Sequence, residues 1–149
     1  MIDDTDALAP LAARYARGVD RRDVDVFCSA FHPDATLTVV RGGRESSPMT
    51  GHAHLARVID RIARYDATHH MLGQSTYEVD PGGEHATGEV YCVASHLART
   101  DSGATNQVMY IRYLDAYTRL DSAWRISARQ VVVDWSEVHD IGSDASGDS

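Results

Sequence analysis

From Asp6 onward apolar side chains return at helical spacing, with Leu8, Leu11, Ala12, Tyr15, Ala16 and Val19 on one face. The spacing predicts a helix capped by Thr5 or Asp6, with Pro10 tolerated in its first turn, Gly18 weakening its end and Asp20 at the junction. Residues 1–5 are expected to fray. A second short helix, Val24–Phe31, turns Val24, Phe27, Cys28 and Phe31 inward behind an Asp23 cap, and His32-Pro33-Asp34 ends it. Ala35–Val40 reads as a strand, and Arg41–Thr50 as a polar Gly- and Ser-rich loop, a variable connection or a lid. Gly51–Asp66 is amphipathic, with Leu55, Val58, Ile59, Ile62 and Tyr65 opposite Arg57, Asp60, Arg61 and Arg64.

The period then changes from helical to alternating. Four strand-like runs follow, Thr68–Asp80, His85–Thr100, Thr105–Asp121 and Ala123–Val138, separated by Pro81-Gly82-Gly83, Asp101-Ser102-Gly103 and Asp121-Ser122. The last three are long for strands and must bend or bulge to remain in one sheet. Helices followed by antiparallel strands predict an α+β domain. Three helices on one face of a strongly bent, mostly antiparallel sheet would leave a cone-shaped cavity. That domain spans residues 6–138. Residues 139–149 are Asp-, Ser- and Gly-rich and are expected to form a disordered acidic tail.

Composition narrows the function classes. The net charge of -8 argues against nucleic acid or an anionic membrane as partner. Cys28 and Cys92 sit in apolar periodic stretches without a CxxC pair, which suits small core residues in a reducing, cytoplasmic setting. No spacing supplies the three or four converging ligands of a metal site. No nucleophile or phosphate-loop motif is present. No metal and no cofactor are therefore expected.

The chemistry concentrates on Thr68–Asp80, which opens on adjacent histidines. Side chains alternate faces along a strand, so only one of His69 and His70 can face an interior. An imidazole held rigidly near neutral pH is a natural general base. With His70 inward, Leu72 follows it. His96, Ala94, Cys92 and Val90 share a face of the next run, and Met109, Ile111, Tyr113, Asp115 and Tyr117 share one on the third. These faces are mostly small or apolar with few polar groups, as in a pocket for a small hydrophobic or cyclic substrate.

The runs YARGVDRRDVDVFCSAFHPDA, THHMLG, GEVYCVASH and YLDAYTRLDSAWRISARQVVVDW resemble the SnoaL-like branch of the nuclear transport factor 2-like superfamily, over about residues 6–138. The resemblance implies the cone-shaped α+β fold of polyketide cyclases, steroid isomerase, scytalone dehydratase and hexachlorocyclohexane dehydrochlorinase. It implies that Asp20 and His70 stand where the dehydratase and dehydrochlorinase members carry a His–Asp dyad. It also implies that His96 matches a second active-site histidine and that Arg119 lies near an arginine of the dehydrochlorinase. The chain departs at Tyr113, Val39 or Val40, Val19 and Tyr15, the positions of substrate-polarising groups. The expected function is cofactor-independent elimination, of dehydratase type, with His70 as base and Asp20 as its orienting partner. Tyr113 and His96 are expected to donate to a developing oxyanion, with Tyr15 as a third donor. Ring closure or isomerisation, and a non-catalytic binding domain, remain alternatives. Asp115 and Tyr117 could line the cavity mouth or bond within the sheet. Family membership and the apolar second face of the later strands, such as Val131, Val133 and Leu114, suggest a homodimer.

Overall fold

Asp3 caps the first helix of the computed structural model, which describes residues 3–142. Helix α1 spans Asp4–Asp20, and the Asp3 carboxylate accepts from the Thr5 amide. The helix thus starts two residues before the expected Asp6, so Pro10 lies in its second turn and removes a backbone hydrogen bond there. Leu8, Leu11, Ala12, Tyr15 and Val19 are buried, as their spacing predicts. Gly18 has a packing role beyond weakening the helix end. A Cβ there would lie 2.5 Å from the Phe27 amide nitrogen, so only glycine lets helix α2, Val24–Ser29, cross so closely. Between the helices Arg22 adopts a left-handed φ of 55°, and Asp23 caps α2 by accepting from the Val26 amide.

Helix α2 ends two residues short of Phe31, and strand β1 runs Phe31–Arg41, longer than the expected Ala35–Val40. The His32-Pro33-Asp34 break falls inside the strand as an irregularity between Phe31 and Thr36, where proline needs no ladder partner. The presumed loop holds two short strands, β2 at Arg44–Glu45 and β3 at Met49–Thr50, both pairing with β1. The third helix is broken at Ala56 into α3, His52–Leu55, and α4, Arg57–Ile62.

Strands β4 (Ala67–Val79), β5 (His85–Thr100), β6 (Gly103–Leu120) and β7 (Ala123–Ile141) form successive antiparallel pairs. The sheet order is β2-β1-β7-β6-β5-β4, and β1 joins β7 in parallel. The result is a curved, unclosed, mostly antiparallel seven-stranded sheet with the helices on one face. Strand β7 runs past Val138 to Ile141, which pairs with Ala104. The rest of the segment expected to be a disordered tail, 143–149, lies outside the described residues, as do residues 1 and 2.

Bulges decide which residues enter the core. In β4 the ladder passes from Leu72–Cys92 to Ser75–Val90, one extra residue on β4. His70 and Leu72 are half-buried before that shift, Tyr77 and Val79 after it, so residues of opposite parity share the inner face. In β7 the extra residues are Ser127 and Asp134. The first turns Arg129, Val131 and Val133 inward, where all three are buried. Val131 and Val133 are therefore not part of the sheet's outer face, contrary to the simple alternation.

Candidate active site

Helix α1 delivers Asp20 against the inner face of β4, at the start of that strand. Thr68 and His70 share parity there and both meet the carboxylate. His70 Nδ1 lies 2.7 Å from Asp20 Oδ1, the His70 amide donates to Oδ2 at 2.9 Å, and the Thr68 hydroxyl donates to Oδ1 at 3.0 Å. A carboxylate only accepts, so His70 Nδ1 carries a proton, and in the neutral ring Nε2 is the acceptor. Burial pushes the Asp20 carboxyl up, but the side-chain and backbone bonds from His70 outweigh it and hold the group below the ordinary carboxylate value. The His70 side chain keeps 5% of its surface exposed and that of Asp20 24%, so water reaches the pair from the carboxylate side.

Arg22 completes this corner. Its left-handed backbone turns the guanidinium under the end of α1, where it donates to the Val19 carbonyl at 2.8 Å and to Thr68 Oγ1 at 2.7 Å. Further bonds reach the carbonyls of Ile62 and Tyr65. A run of hydrogen bonds thus leads from Arg22 through Thr68 and Asp20 to His70.

The His70 ring lines a cavity of about 210 Å³ between the helices and the sheet. Its apolar wall comes from Leu37, Val39, Met49, Met109, Ile111 and Val131. The polar lining comprises His96, Tyr15, Tyr113 and Tyr65, with three arginines discussed below. His96 packs on His70 with ring centroids 6.1 Å apart and on Tyr65 at 4.9 Å. Its Nδ1 lies 3.1 Å from the Gln107 carbonyl, which can only accept, so the neutral ring presents an acceptor Nε2. Burial, more than any other influence, lowers the His96 pKa and favours that neutral form.

Beneath the cavity lies a buried cation. Arg129 is 1% exposed and bonds Asp115 through Nε and Nη2 at 2.8 and 2.7 Å. Its guanidinium carbon sits 4.4 Å from the Tyr15 ring centroid and 4.0 Å from that of Tyr113. Burial raises the Tyr15 phenol to about 12 while Arg129 pulls it back, and burial holds Tyr113 well above the ordinary value. Both are therefore protonated donors at neutral pH. The Tyr113 hydroxyl is fully buried, beside the Tyr15 hydroxyl and the Cys92 thiol, and makes no well-formed hydrogen bond among the described residues.

Of the residues singled out in the sequence, His70, His96, Tyr15, Tyr113 and Met109 line the cavity, and Asp20 stands behind His70. Leu72 lies outside it, among Ala13, Ala16 and Asp20. Asp115 is spent on Arg129 and accepts from Tyr117 at 2.9 Å. Arg119 pairs with Asp4 at 2.6 Å, donates to the Gly83 carbonyl and covers Trp124 at the far end of the cone. Arg129, Thr68 and Arg22 belong to this site as well, although none is among the candidates that the sequence pattern offers. Arg129 is hidden by the Ser127 bulge, because in a regular strand it would face away from Ile126. Thr68 shares the parity of His70, which was a usable signal.

Helices on one face of a curved, unclosed, mostly antiparallel sheet make the cone-shaped α+β fold of nuclear transport factor 2-like domains. The chain belongs to the SnoaL-like domain family, whose profile matches residues 1–130. Solved structures of the same fold include the Kfla4162 protein from Kribbella flavida, at 20% identity and TM-score 0.78 over 90% of this chain and 93% of that one. A candidate scytalone dehydratase from Novosphingobium aromaticivorans matches at 14% identity and TM-score 0.76 over 93% and 89%. A hexachlorocyclohexane dehydrochlorinase, LinA type 2, matches at 16% identity and TM-score 0.76 over 91% and 88%. A comparison with curated proteins returns no match. No helix of the described residues is long and apolar enough to cross a membrane.

Proposed function

We propose that the protein is a cofactor-independent lyase that removes a proton beside a carbonyl of a small cyclic or polyketide-like substrate and expels water. The observation that carries this reading is the 2.7 Å bond between Asp20 and His70 Nδ1, which leaves Nε2 unprotonated on the cavity wall. Nε2 takes the proton, and Asp20 stabilises the resulting imidazolium, as in a catalytic triad. Charge moves onto the carbonyl oxygen, which accepts from a phenol of the cavity floor, Tyr15 or Tyr113. One preorganised donor of this kind typically supplies about 3–4 kcal/mol. The enolate then expels the β-hydroxyl, which leaves as water with the proton now on Nε2, and the resting base is restored. Neutral His96 accepts through Nε2 and so orients a substrate hydroxyl; acting as an acid would require the imidazolium that burial disfavours.

Homodimerisation through the outer sheet face is part of this reading. It rests on exposed Met71, Tyr91, Val93 and Trp135, with Tyr110 stacked 4.4 Å from Trp135. These residues replace Val131 and Val133 as the apolar surface.

Proton abstraction can be tested without the natural substrate. A panel of cyclic ketones is incubated in deuterium oxide, and NMR follows loss of the α-proton signal. The wild-type protein should exchange at least one member faster than buffer, and His70→Ala should fall to the buffer rate while keeping its circular dichroism spectrum. Equal exchange by His70→Ala and wild type would remove His70 as the base.

A further inference from the structure

Three arginines line the same cavity as His70: Arg41 at the end of β1, and Arg61 and Arg64 on and just beyond α4. All three are exposed, whereas His96, Tyr15 and Tyr113 are buried, so the arginines ring the opening and the phenols and imidazoles form the floor. Among the described residues no aspartate or glutamate lines the cavity. Among the described residues none of the three makes an ion pair, although Arg112, Arg119 and Arg129 all do. Isolated arginines are ordinary on a protein surface. What is unusual is their convergence from two separate elements on one opening, in a chain of net charge -8.

Two of them are held in place by neutral contacts. Arg64 stacks on Tyr65, with its guanidinium carbon 4.8 Å from the ring centroid, and donates to the Tyr65 hydroxyl at 2.9 Å. That hydroxyl donates onward to Gln107 at 3.0 Å, and the Tyr65 ring packs on His96. Side-chain contacts, tilted and edge-on between the rings, thus connect Arg64 through Tyr65 and His96 to His70. Arg41 lies 3.5 Å from the Met109 sulfur, a contact that fixes the guanidinium without neutralising it. Arg61 makes no side-chain hydrogen bond among the described residues.

We infer that the substrate carries an anionic group, a carboxylate or a phosphate, which Arg41, Arg61 and Arg64 hold at the opening while its apolar ring reaches the floor. The inference rests on the reading of this cavity as the substrate site. Guanidinium groups pair with planar oxyanions through two parallel hydrogen bonds, and such bonds are stronger than those between neutral groups. The arginines also offset the repulsion that the acidic protein exerts on an approaching anion. Holding the far end of the substrate fixes the position of the reacting carbon over Nε2.

The probes are 1-naphthoate and its uncharged isostere 1-naphthamide, titrated by calorimetry at low ionic strength. The wild-type protein should bind the carboxylate about tenfold or more tightly than the amide. The triple variant Arg41→Gln/Arg61→Gln/Arg64→Gln changes only exposed side chains, and it should bind the two probes equally. His70→Ala should keep the preference. Equal wild-type affinities, or no carboxylate binding, would overturn the inference. So would a preference that survives in the triple variant or disappears in His70→Ala. The deuterium-exchange experiment reports on the dyad separately, so a protein that prefers naphthoate but exchanges no α-proton would retain the anion site and lose the lyase reading.

Discussion

Replacing Asp20 by Asn tests the dyad most directly, because the change is nearly isosteric and its effect on His70 follows from the hydrogen-bond geometry. The carboxylate accepts three donors: the His70 amide, the thr-type hydroxyl of Thr68 and His70 Nδ1–H. An amide has only one acceptor atom. If its oxygen stays on the His70 backbone N–H, its NH2 faces Nδ1 and donates to it. The ring proton must then move to Nε2, the nitrogen that should be the base. The equivalent tautomer error in a serine protease triad costs about 10⁴ in kcat, or about 5.4 kcal/mol of barrier at 1.36 kcal/mol per tenfold. Exchange of charge-assisted bonds for amide ones should also lower stability by about 1–3 kcal/mol. The stability loss has a pH signature. Asp20 titrates below its ordinary value in the folded protein, so its contribution is full at neutral pH and fades as acid protonates the carboxylate. The gap in urea midpoint between wild type and variant should therefore narrow below about pH 4. The assay is ¹⁵N NMR of labelled histidine. Wild-type His70 should show a protonated Nδ1 and a bare Nε2, and Asp20→Asn should show the reverse, with α-proton exchange falling by orders of magnitude. A variant that retains the Nδ1–H tautomer or exchange within tenfold of wild type would refute the reasoning.

Three other outcomes are expected. Gly18→Ala should destabilise the fold by about 1–3 kcal/mol in urea unfolding, since the new methyl meets the Phe27 backbone at 2.5 Å. Arg129→Met should cost about 3–5 kcal/mol by leaving Asp115 as an unpaired buried charge, and adding Asp115→Leu should recover most of it. Trp135→Glu should convert a dimer to monomers in sedimentation without changing the thermal midpoint of dilute protein; a wild-type monomer at micromolar concentration would dispose of the outer-face interface.

The helices, the four long strands and the antiparallel order were legible because burial of one face imposes a period on the sequence. Leu8 to Val19 and Leu55 to Ile62 announce their helices in that way. Strand β1 was foreshortened because Pro33 signals a break, and only its parallel partner β7 reveals that the chain is already extended at Phe31. The extra residues at Gly73-Gln74, Ser127 and Asp134 leave no compositional mark strong enough to read. Each one inverts the faces of everything beyond it. Thus the parity that groups His70, His96 and Tyr113 works within unbroken stretches, whereas Arg129, Val131 and Val133 were assigned to no pocket or to the outer face. Asp115 illustrates a different limit. Its parity places it on the inner face, but only coordinates show that Arg129 has already claimed it.

Strand β4 ends the sheet, so its outward backbone groups have no neighbouring strand. Unpaired strand edges invite pairing with other chains, and natural proteins cover or charge them. Here the His70 amide points to that open side, and the Asp20 carboxylate occupies it at 2.9 Å, with α1 lying alongside. The same negative group that orients the imidazole thereby blocks the slot that an intruding strand would need. Losing the carboxylate at position 20 would therefore open a strand edge as well as release the His70 ring.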